Sequence, residues 1–221
     1  MKTALNWKAI DTVLLDMDGT ILDLHFDNYF WLTYLPEKFA SKHNITFEHA
    51  FEKLSQQFNA IKGTLNWYCL DYWTDTLQMD IVGLKKDIQH KVAFRPQALS
   101  FLKFLKQHDK RVYLATNAHP KSLEIKQLNT RFHQYFDELI TSHTFGAPKE
   151  QQLFWQQLQT KIEFDSAKTL FIDDSVAVLT SAQQFGIEYL LGIAQPDSQK
   201  PPQSMAPFNV IEDFTDIMLS E

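Results

Sequence analysis

Short apolar runs alternate with amphipathic segments through the second half of the chain, and this alternation limits the fold more than any other feature. The runs at residues 112–115, 139–140, 169–172 and 188–191 predict strands, and the run at 12–15 predicts one more. Strands that alternate with helices pair in parallel, because each helix carries the chain back across the sheet. We therefore expect an α/β fold with a doubly wound parallel sheet of about five strands.

The segments between these runs carry the start and stop signals of helices. Pro96 and Pro120 stand where a helix can begin, and Gly186 stands where one can end. A proline-rich loop over 196–207 is predicted to lead into a short helix at the C-terminus. Predicted helices cover residues 98–107, 150–158 and 175–185, with another that opens at Pro120.

The segment between the first strand and the alternating region has a different character. Apolar residues recur at helical spacing over 46–61 and again over 65–79, and aromatic side chains are dense there. We interpret this segment as an α-helical insertion after the first strand. The predicted division is a core domain formed by residues 1–22 and 93–221, and a helical domain formed by residues 23–92.

Charge and cysteine content exclude several classes of function. The net charge is −6, whereas proteins that bind nucleic acids or membrane surfaces need a basic face. No stretch approaches the about 18–20 apolar residues of a membrane span, and the N-terminus has no apolar signal-peptide run. The single cysteine, Cys69, excludes an intramolecular disulfide and a zinc site built from cysteines. We expect a packed thiol in a cytoplasmic protein.

The first group of reactive side chains follows the run at 12–15. Asp16 and Asp18 are two residues apart on an extended segment, so both carboxylates point to the same side. Two neighbouring carboxylates repel, and Mg²⁺ is an ion that commonly neutralises such oxygen ligands. Gly19 permits a sharp turn close to a ligand. A solvated Asp-Gly turn is the alternative, but the full Asp-x-Asp-Gly-Thr string after an apolar strand rarely arises by chance.

Three further groups follow later strands of the predicted sheet. Thr116 and Asn117 offer a hydroxyl and an amide to a phosphate oxygen, or else they cap a strand end. Lys149 is predicted at the start of a helix, where a cation opposes the helix dipole and indicates an anionic partner, or else it is a solvated lysine. Asp173 and Asp174 either cap the following helix or complete a metal site. Strand ends of this kind form the ligand-binding edge of open α/β sheets.

Together, the four groups supply the parts of a phosphoryl-transfer site. We predict that Asp16 is the nucleophile and that Asp18 donates a proton to the leaving group. Thr116 is predicted to bind a phosphate oxygen, while Lys149 and the metal neutralise developing charge. Each group alone has an ordinary structural explanation, so the prediction depends on their combination.

The order of these groups resembles the haloacid dehalogenase-like phosphohydrolases. Members of that family have an apolar strand followed by Asp-x-Asp-Gly-Thr, then a strand-end Thr or Ser, a Lys and a pair of acids. The matching positions span essentially the whole chain and are residues 13–20, Thr116, Lys149 and Asp173 with Asp174. The resemblance implies the family's Rossmann-like parallel sheet, with residues 23–92 as an α-helical cap over the site. Asp18 argues against the dehalogenase branch, and Met17 argues against the P-type ATPase branch.

Longer strings resemble the bacterial GMP/IMP nucleotidases of this superfamily. The matching segments are residues 14–24, 26–31, 64–73, 116–120, 143–150 and 171–175. This narrower resemblance implies hydrolysis of purine nucleoside monophosphates, with no nucleic-acid or membrane partner. The family pattern implies that Mg²⁺ is held by the Asp16 carboxylate, the Asp18 backbone carbonyl and one of the two later acids, with Asp174 the expected direct ligand and Asp173 beside it.

The residues that contact the rest of the substrate are less constrained by the sequence. Asp27, Asn28 and Tyr29, just past the hinge after the first strand, are predicted to face the substrate, as are Thr116, Asn117 and Lys149. The cap aromatics either stack on a base or pack between cap helices. These aromatics are Trp67, Tyr68, Tyr72 and Trp73, and His119 and His143 are either pocket residues or loop histidines.

Two alternatives to the nucleotidase stay open at this point. A sugar-phosphate or phosphoglycolate-type phosphatase, or a phosphoglucomutase, would keep the same reactive residues and differ only in the cap. A non-catalytic phosphate-binding module would use the same scaffold without turnover. The intact Asp16, Asp18, Lys149 and Asp174 argue against the second alternative.

Overall fold

A six-stranded, fully parallel sheet forms the centre of the computed structural model, which describes residues 5–218. The strands lie in the order β3-β2-β1-β4-β5-β6, so β1 is central and the chain crosses from one half of the sheet to the other after β3. The strands are β1 (Thr12–Leu15), β2 (Arg111–Thr116), β3 (Glu138–Thr141), β4 (Thr169–Asp173), β5 (Tyr189–Ile193) and β6 (Val210–Ile211). The α/β prediction is confirmed.

The sequence analysis missed the sixth strand. We expected a helix after the proline-rich loop, but the loop returns the chain to the sheet and β6 pairs with Gly192 and Ile193 of β5. A single 3-10 turn, Phe214–Asp216, follows instead of an α-helix. Only two residues of β6 pair, and a run this short is too small to recognise from alternation alone.

Both faces of the sheet are covered, as expected when helices return between parallel strands. Side chains alternate along β1: Val13 and Leu15 pack in one apolar cluster, whereas Leu14 packs in the other. The core helices α7 and α8 border the first cluster, and α9 and α10 border the second. Their bounds are Ala98–Gln107 for α7, Pro120–Thr130 for α8, Gln152–Ile162 for α9 and Val176–Phe185 for α10.

One predicted helix start is wrong in a way that affects the site. Helix α9 begins at Gln152 and not at residue 150, so Lys149 lies in the preceding turn. The turn is closed by the Gln151 backbone N–H, which donates to the Pro148 carbonyl oxygen at 2.9 Å. The Lys149 backbone N–H donates to the Asn117 side chain, which ties this turn to the segment that follows β2.

The segment between β1 and α7 is helical and has its own apolar cluster. Buried Phe26, Phe30, Leu54 and Trp73 belong to that cluster. Its helices are α1 (His25–Tyr29), α2 (Leu35–His43), α3 (Phe47–Ile61), α4 (Leu65–Tyr68), α5 (Leu70–Leu77) and α6 (Ile81–Asp87), with a π-helical turn at Phe30–Tyr34. This separate cluster supports our division into a core of residues 1–22 and 93–221 and a cap of residues 23–92, which stays a prediction.

The single helix expected over 65–79 is two helices. The chain is extended at Cys69, where φ is −84° and ψ is 111°. The Cys69 thiol accepts a hydrogen bond from the Tyr72 backbone N–H at 3.4 Å, so the sulfur caps α5. Cysteine is not a usual capping residue, and the break therefore gave no signal in the sequence.

Two connecting segments join the cap to the core side by side. The Asp23 backbone N–H donates to the Ala93 carbonyl oxygen at 2.9 Å, and that of Arg95 donates to Ile21 at 3.0 Å. The two connections therefore leave the core next to each other. Among residues 5–218, no helix is long and apolar enough to cross a bilayer.

Candidate active site

Asp16 and Asp18 stand directly beyond the C-terminal end of the central strand. The Asp16 backbone N–H donates to the Ile172 carbonyl oxygen at 3.0 Å, which extends the pairing of β1 with β4 by one residue. The chain then turns at Gly19, where φ is +86°. A Cβ at position 19 would lie 2.5 Å from Asp174 Oδ2, so the turn requires glycine. Gly19 thus lets the acidic ends of β1 and β4 approach each other.

Lys149 links these two strand ends. Its Nζ atom donates to Asp16 Oδ1 at 2.5 Å, to Asp173 Oδ2 at 2.7 Å and to the Ala115 carbonyl oxygen at 3.0 Å. The side chain is only 2% exposed. Burial alone would lower the pKa of Lys149, but the carboxylates of Asp16 and Asp173 raise it above its usual value. Lys149 is therefore a fixed positive charge.

Negative charge exceeds positive charge in this group. We call Asp16, Asp173, Asp174 and Lys149 the strand-edge cluster. Burial, together with repulsion from Asp173, raises the pKa of Asp16 to about 6 despite Lys149. Burial and the neighbouring carboxylates Asp173 and Asp16 raise the pKa of Asp174 well above its usual value. A bound cation would relieve this repulsion.

The donor set of the strand-edge cluster fits a hard divalent cation. Mg²⁺ is held in proteins by one or two carboxylates together with carbonyl and water oxygens. Asp173 is already engaged, since Oδ2 accepts from Lys149 and Oδ1 accepts from the Ser175 backbone N–H at 2.8 Å. Asp174 has no such partner among the described residues and lies against Gly19. Asp16 and Asp174 are therefore the carboxylates best placed to hold such an ion.

Thr116 and Asn117 lie next to this cluster but have different surroundings. Thr116 is buried, and its hydroxyl oxygen accepts from the Ala118 backbone N–H at 3.0 Å. Asn117 uses both ends of its amide: Oδ1 accepts from the Lys149 backbone N–H at 2.9 Å, and Nδ2 donates to Glu150 Oε2 at 3.0 Å. Asn117 therefore positions the Lys149 turn, a role that the sequence analysis did not predict.

A cavity of about 630 Å³ opens over the strand-edge cluster and lies between core and cap. This volume is in the range of pockets for small organic ligands. Tyr68 of the cap crosses to the core, and its hydroxyl donates to Glu150 Oε1 at 2.6 Å. The core contributes polar lining residues, among them Asp16, Asp18, Thr116, Asn117, His119, Lys149 and Asp174, and the cap contributes Asp27, Asn28, Trp31, Phe58, Trp67, Tyr68 and Trp73.

Several predicted substrate contacts are only partly free. Asn28 lines the cavity, and its Nδ2 donates to Asp197 Oδ2 at 2.7 Å. Trp67, Tyr68 and Trp73 line the cavity, whereas Tyr72 is not among the lining residues. Trp67, Tyr72 and Trp73 also pack in the apolar cluster of the cap. Packing is therefore observed for all three, and stacking on a base stays a prediction.

A second buried group of charges connects the site to the cap. Lys126 of α8 lies 2.6 Å from Asp18 Oδ1 and 2.7 Å from Asp27 Oδ2. Lys85 of α6 donates to Asp27 Oδ1 at 2.6 Å. We call Asp18, Asp27, Lys85 and Lys126 the hinge cluster, because it bridges the cap and the core beside their connecting segments. Both oxygens of Asp27 are occupied by lysines, which the sequence analysis did not foresee.

The hinge cluster has equal numbers of acidic and basic side chains, but the pKa values of its two carboxyl groups shift in opposite directions. Burial raises the pKa of Asp18 to about 7, although Lys126 opposes the rise, and Asp27 and Asp16 add to it. Burial would also raise the pKa of Asp27, but the two lysines outweigh it and hold this pKa well below its usual value. Burial lowers the pKa of Lys85, against the attraction of Asp27.

The lysines of the hinge cluster left a weak signal in the sequence. Lys85 stands four residues after the buried Ile81, and Lys126 stands three residues after the buried Leu123. Residues three or four apart share a helix face, so both lysines fall on faces that carry apolar side chains. A buried lysine needs a carboxylate partner, but the spacing does not identify the partner.

Comparison with known proteins identifies relatives over most of the chain. The model of the haloacid dehalogenase-like hydrolase family matches residues 10–186. The GMP/IMP nucleotidase YrfG of Escherichia coli is 44% identical over 198 residues, which are 90% of this chain and 89% of that protein. The GMP/IMP nucleotidase YrfG of Shigella flexneri gives the same figures.

Solved structures share the fold at lower sequence identity. A HAD phosphatase from Thermococcus onnurineus matches with a TM-score of 0.75 and 20% identity, over 91% of this chain and 93% of that chain. The HAD-hydrolase YfnB of Bacillus subtilis, bound to magnesium, matches with a TM-score of 0.65 and 18% identity, over 94% and 96% of the two chains. The sheet and the helical insertion therefore follow an architecture that these proteins have in common.

Proposed function

The chain belongs to the haloacid dehalogenase-like hydrolase family, and on that basis we propose that it hydrolyses purine nucleoside 5′-monophosphates, GMP and IMP first, to nucleoside and phosphate. The observation that carries this proposal is the position of Asp16. Its carboxylate is held by Lys149 and lines the cavity to which the cap contributes aromatic side chains. The similarity to the GMP/IMP nucleotidase YrfG supports guanine and hypoxanthine as the bases of the substrate.

In the proposed first step, a carboxylate oxygen of Asp16 attacks phosphorus in line with the ribose oxygen. The bond between phosphorus and the ribose oxygen breaks, and Asp18 gives the leaving oxygen its proton. The product is an aspartyl-phosphate. Lys149 orients the nucleophile through Asp16 Oδ1, and its fixed charge stabilises the charge that builds on the phosphoryl oxygens.

In the second step, Asp18 takes a proton from water, and the water oxygen attacks phosphorus to regenerate Asp16. A group that first gives and then takes a proton works best with a pKa near the working pH. Burial raises the pKa of Asp18 to about 7, which meets that requirement. Lys126 keeps the Asp18 carboxylate close to the hinge between cap and core.

Mg²⁺ is the proposed cofactor, with Asp16 and Asp174 as carboxylate ligands and the Asp18 backbone carbonyl as a third, by family resemblance. When bound, it neutralises charge on the phosphoryl oxygens. Thr116 is proposed to bind one of those oxygens with its hydroxyl. The protein is proposed to act on small molecules in the cytoplasm, without a nucleic-acid or membrane partner.

The cap is proposed to read the base. Trp31, Phe58, Trp67 and Trp73 give a purine ring apolar surface to contact. Preference for GMP and IMP over AMP requires a donor to the 6-oxo group, and Asn28, Asn59 and Lys62 carry donors among the lining residues of the cap. Polar contacts of this kind discriminate more strongly than shape, which separates near-isosteres by only about 10–200-fold.

A panel of phosphoesters tests this proposal. We expect kcat/KM for GMP and IMP to exceed that for AMP, for pyrimidine nucleotides and for sugar phosphates such as glucose 6-phosphate. A sugar phosphate or phosphoglycolate turned over at least tenfold more efficiently than GMP would contradict the nucleotidase proposal but keep the phosphatase. Absence of turnover with every ester, including p-nitrophenyl phosphate with Mg²⁺, would leave the non-catalytic alternative.

A further inference from the structure

A group of metal-binding side chains lies outside both charged clusters, where the cap meets the core. Cys69 stands between α4 and α5 of the cap. His119 precedes α8, and His143 lies in the 3-10 turn Ser142–Thr144 after β3. One ligand atom from each of the three side chains lies within 4.8 Å of the other two. The nucleotidase mechanism uses none of them.

His143 is the member whose surroundings point to a ligand. Both of its ring nitrogens are buried, and neither has a hydrogen-bond partner among the described residues. Its ring lies edge-on to that of His119, with centroids 4.8 Å apart. A buried polar atom without a hydrogen-bond partner destabilises the folded protein. A ligand that bonds to these nitrogens removes that cost.

The two histidines differ in the ring nitrogens that they offer to an ion. His143 offers either nitrogen, since neither has a hydrogen-bond partner among the described residues. His119 Nδ1 accepts from the Lys121 backbone N–H at 3.3 Å and caps α8. Metal ions bind neutral imidazole through a ring nitrogen, so an ion at His119 Nε2 requires the ring proton to move to Nδ1 and this helix-capping hydrogen bond to be given up.

The donor set selects the class of ion. A thiol and two imidazoles suit Zn²⁺, whereas Mg²⁺ prefers oxygen ligands. Bonds of about 2.3 Å to sulfur and about 2.0–2.1 Å to nitrogen place tetrahedral Zn²⁺ ligands about 3.3–3.6 Å apart. The three atoms therefore need to approach by about 1 Å. A change of side-chain rotamer covers such a distance.

We propose that Cys69, His119 and His143 bind Zn²⁺ and that the bound ion fastens the cap to the core. The sequence excluded a zinc site built from several cysteines, but the fold places the single cysteine beside two histidines. Asp71, whose Oδ2 lies 3.7 Å from His119 Nε2, stands at the rim and is available as an outer carboxylate. Such partners orient metal-bound histidines.

The position of the site determines its effect on turnover. The neighbouring cap residues already contact the core: Tyr68 donates to Glu150, and Lys121 of α8 donates to Asp71 at 2.6 Å. These contacts can break and re-form as the cap opens. Coordinate bonds from one ion to both domains resist opening, and release of product requires an open cap. Zn²⁺ at this site is therefore an inhibitor that does not enter the strand-edge cluster.

Binding is tested on the full chain in the presence of excess Mg²⁺, so that oxygen sites are filled. Co²⁺ replaces Zn²⁺ as a spectroscopic probe, because a bond from cobalt to thiolate gives a near-ultraviolet charge-transfer band. We expect the band in the native protein and its loss in Cys69→Ser. Serine keeps an acceptor for the Tyr72 backbone N–H, so α5 remains capped.

Calorimetry with Zn²⁺ supplies the quantitative comparison. We expect one ion per chain, and at least tenfold weaker binding in Cys69→Ser and in His143→Ala. His133→Ala removes an exposed histidine of the core and serves as the matched control, with unchanged affinity. Equal Zn²⁺ affinity in all four proteins, or no cobalt-thiolate band in the native protein, would overturn the site.

Inhibition is tested with any phosphoester that the enzyme hydrolyses. With Mg²⁺ saturating, we expect Zn²⁺ to inhibit the native enzyme and to require at least tenfold higher concentration in Cys69→Ser, whose activity without Zn²⁺ is unchanged. Equal inhibition of the two proteins would place the inhibitory ion in the strand-edge cluster. It would overturn the proposal that Zn²⁺ holds the cap to the core. The Zn²⁺-binding measurements require no turnover, so their outcome does not depend on whether the nucleotidase proposal is correct.

Discussion

The strand-edge cluster and the hinge cluster each contain four charged side chains that are buried or half-buried, but their charge balance differs. The strand-edge cluster has three carboxylates and one lysine, whereas the hinge cluster has two of each. In the first, all three carboxyl pKa values are raised. In the second, one carboxyl, Asp27, has a strongly lowered pKa because two lysines bind it.

This difference separates a group that attracts a cation from a group that connects the two domains, although the hinge cluster also contains Asp18, the proposed proton donor. An excess of negative charge attracts a cation, and the bound cation in turn favours an anionic substrate. A balanced cluster needs no further ion and instead ties together the elements that supply its members. In this protein, the balanced cluster joins α1 and α6 of the cap to α8 of the core.

Replacement of Asp16, the proposed nucleophile, gives the largest expected effect. Asp16→Asn retains the shape of the side chain, but an amide cannot form an acyl phosphate. We expect kcat to fall by about 10³-fold or more, as in other enzymes that lose a nucleophile. Steady-state hydrolysis of GMP measures it, and Asp11→Asn, an exposed acid before β1, is the control. Activity of Asp16→Asn within tenfold of the native enzyme would rule out covalent catalysis.

The hinge cluster predicts a large effect on stability. Lys85→Met leaves Asp27 with one lysine instead of two and buries an apolar chain of similar length. We expect the free energy of unfolding to fall by about 3 kcal/mol, the lower end of the range for breaking a buried ion pair. Urea titration measures the loss.

Lys86→Met, on the exposed face of the same helix, is the matched control and should stay within about 0.5 kcal/mol. If both variants unfold at the same urea concentration, Lys85 contributes nothing to the connection between cap and core.

The strand-edge cluster predicts a smaller effect that depends on pH. The pKa of Asp174 is raised in the fold, so its protonated form stabilises the protein, and that contribution is lost as the pH rises through the folded pKa. Asparagine cannot ionise, so Asp174→Asn does not lose this stability as the pH rises. In metal-free buffer, the Tm of Asp174→Asn minus that of the native protein should therefore increase from pH 4 to pH 8.

The expected increase is a few degrees, since about 1 kcal/mol shifts Tm by about 2–4 °C in a domain of this size. Histidine titrations are common to both proteins and cancel in the difference. A Tm difference that stays flat or falls over this pH range would show that the strand-edge carboxylates do not repel one another.

The two clusters also differ in how far the sequence predicts them. The strand-edge cluster follows from topology, because Asp16 and Asp173 end neighbouring parallel strands and must meet at one edge. Lys149 was placed correctly for a wrong reason, since it precedes α9 and is held by Asn117 and not by a helix terminus. The catalytic roles of these residues stay predictions.

The hinge cluster could not be predicted in the same way. Lys85 and Lys126 meet Asp27 only because α6, α8 and α1 pack at particular angles, and no local pattern encodes an angle between helices. The break at Cys69 and the two-residue β6 were also not predicted, since each depends on a few specific hydrogen bonds. Local pattern predicted the first five strands, whereas β6, the break at Cys69 and the hinge cluster depend on packing.

Binding of Mg²⁺ tests the central claim that uncompensated charge at the strand edge creates the cation site. Calorimetry on the native protein, Asp174→Asn and Asp27→Asn compares one carboxylate from each cluster. We predict one Mg²⁺ per chain, affinity weakened at least about tenfold, or about 1.4 kcal/mol, in Asp174→Asn, and affinity within about threefold of native in Asp27→Asn. Equal weakening in the two variants, or no binding to the native protein, would contradict the account.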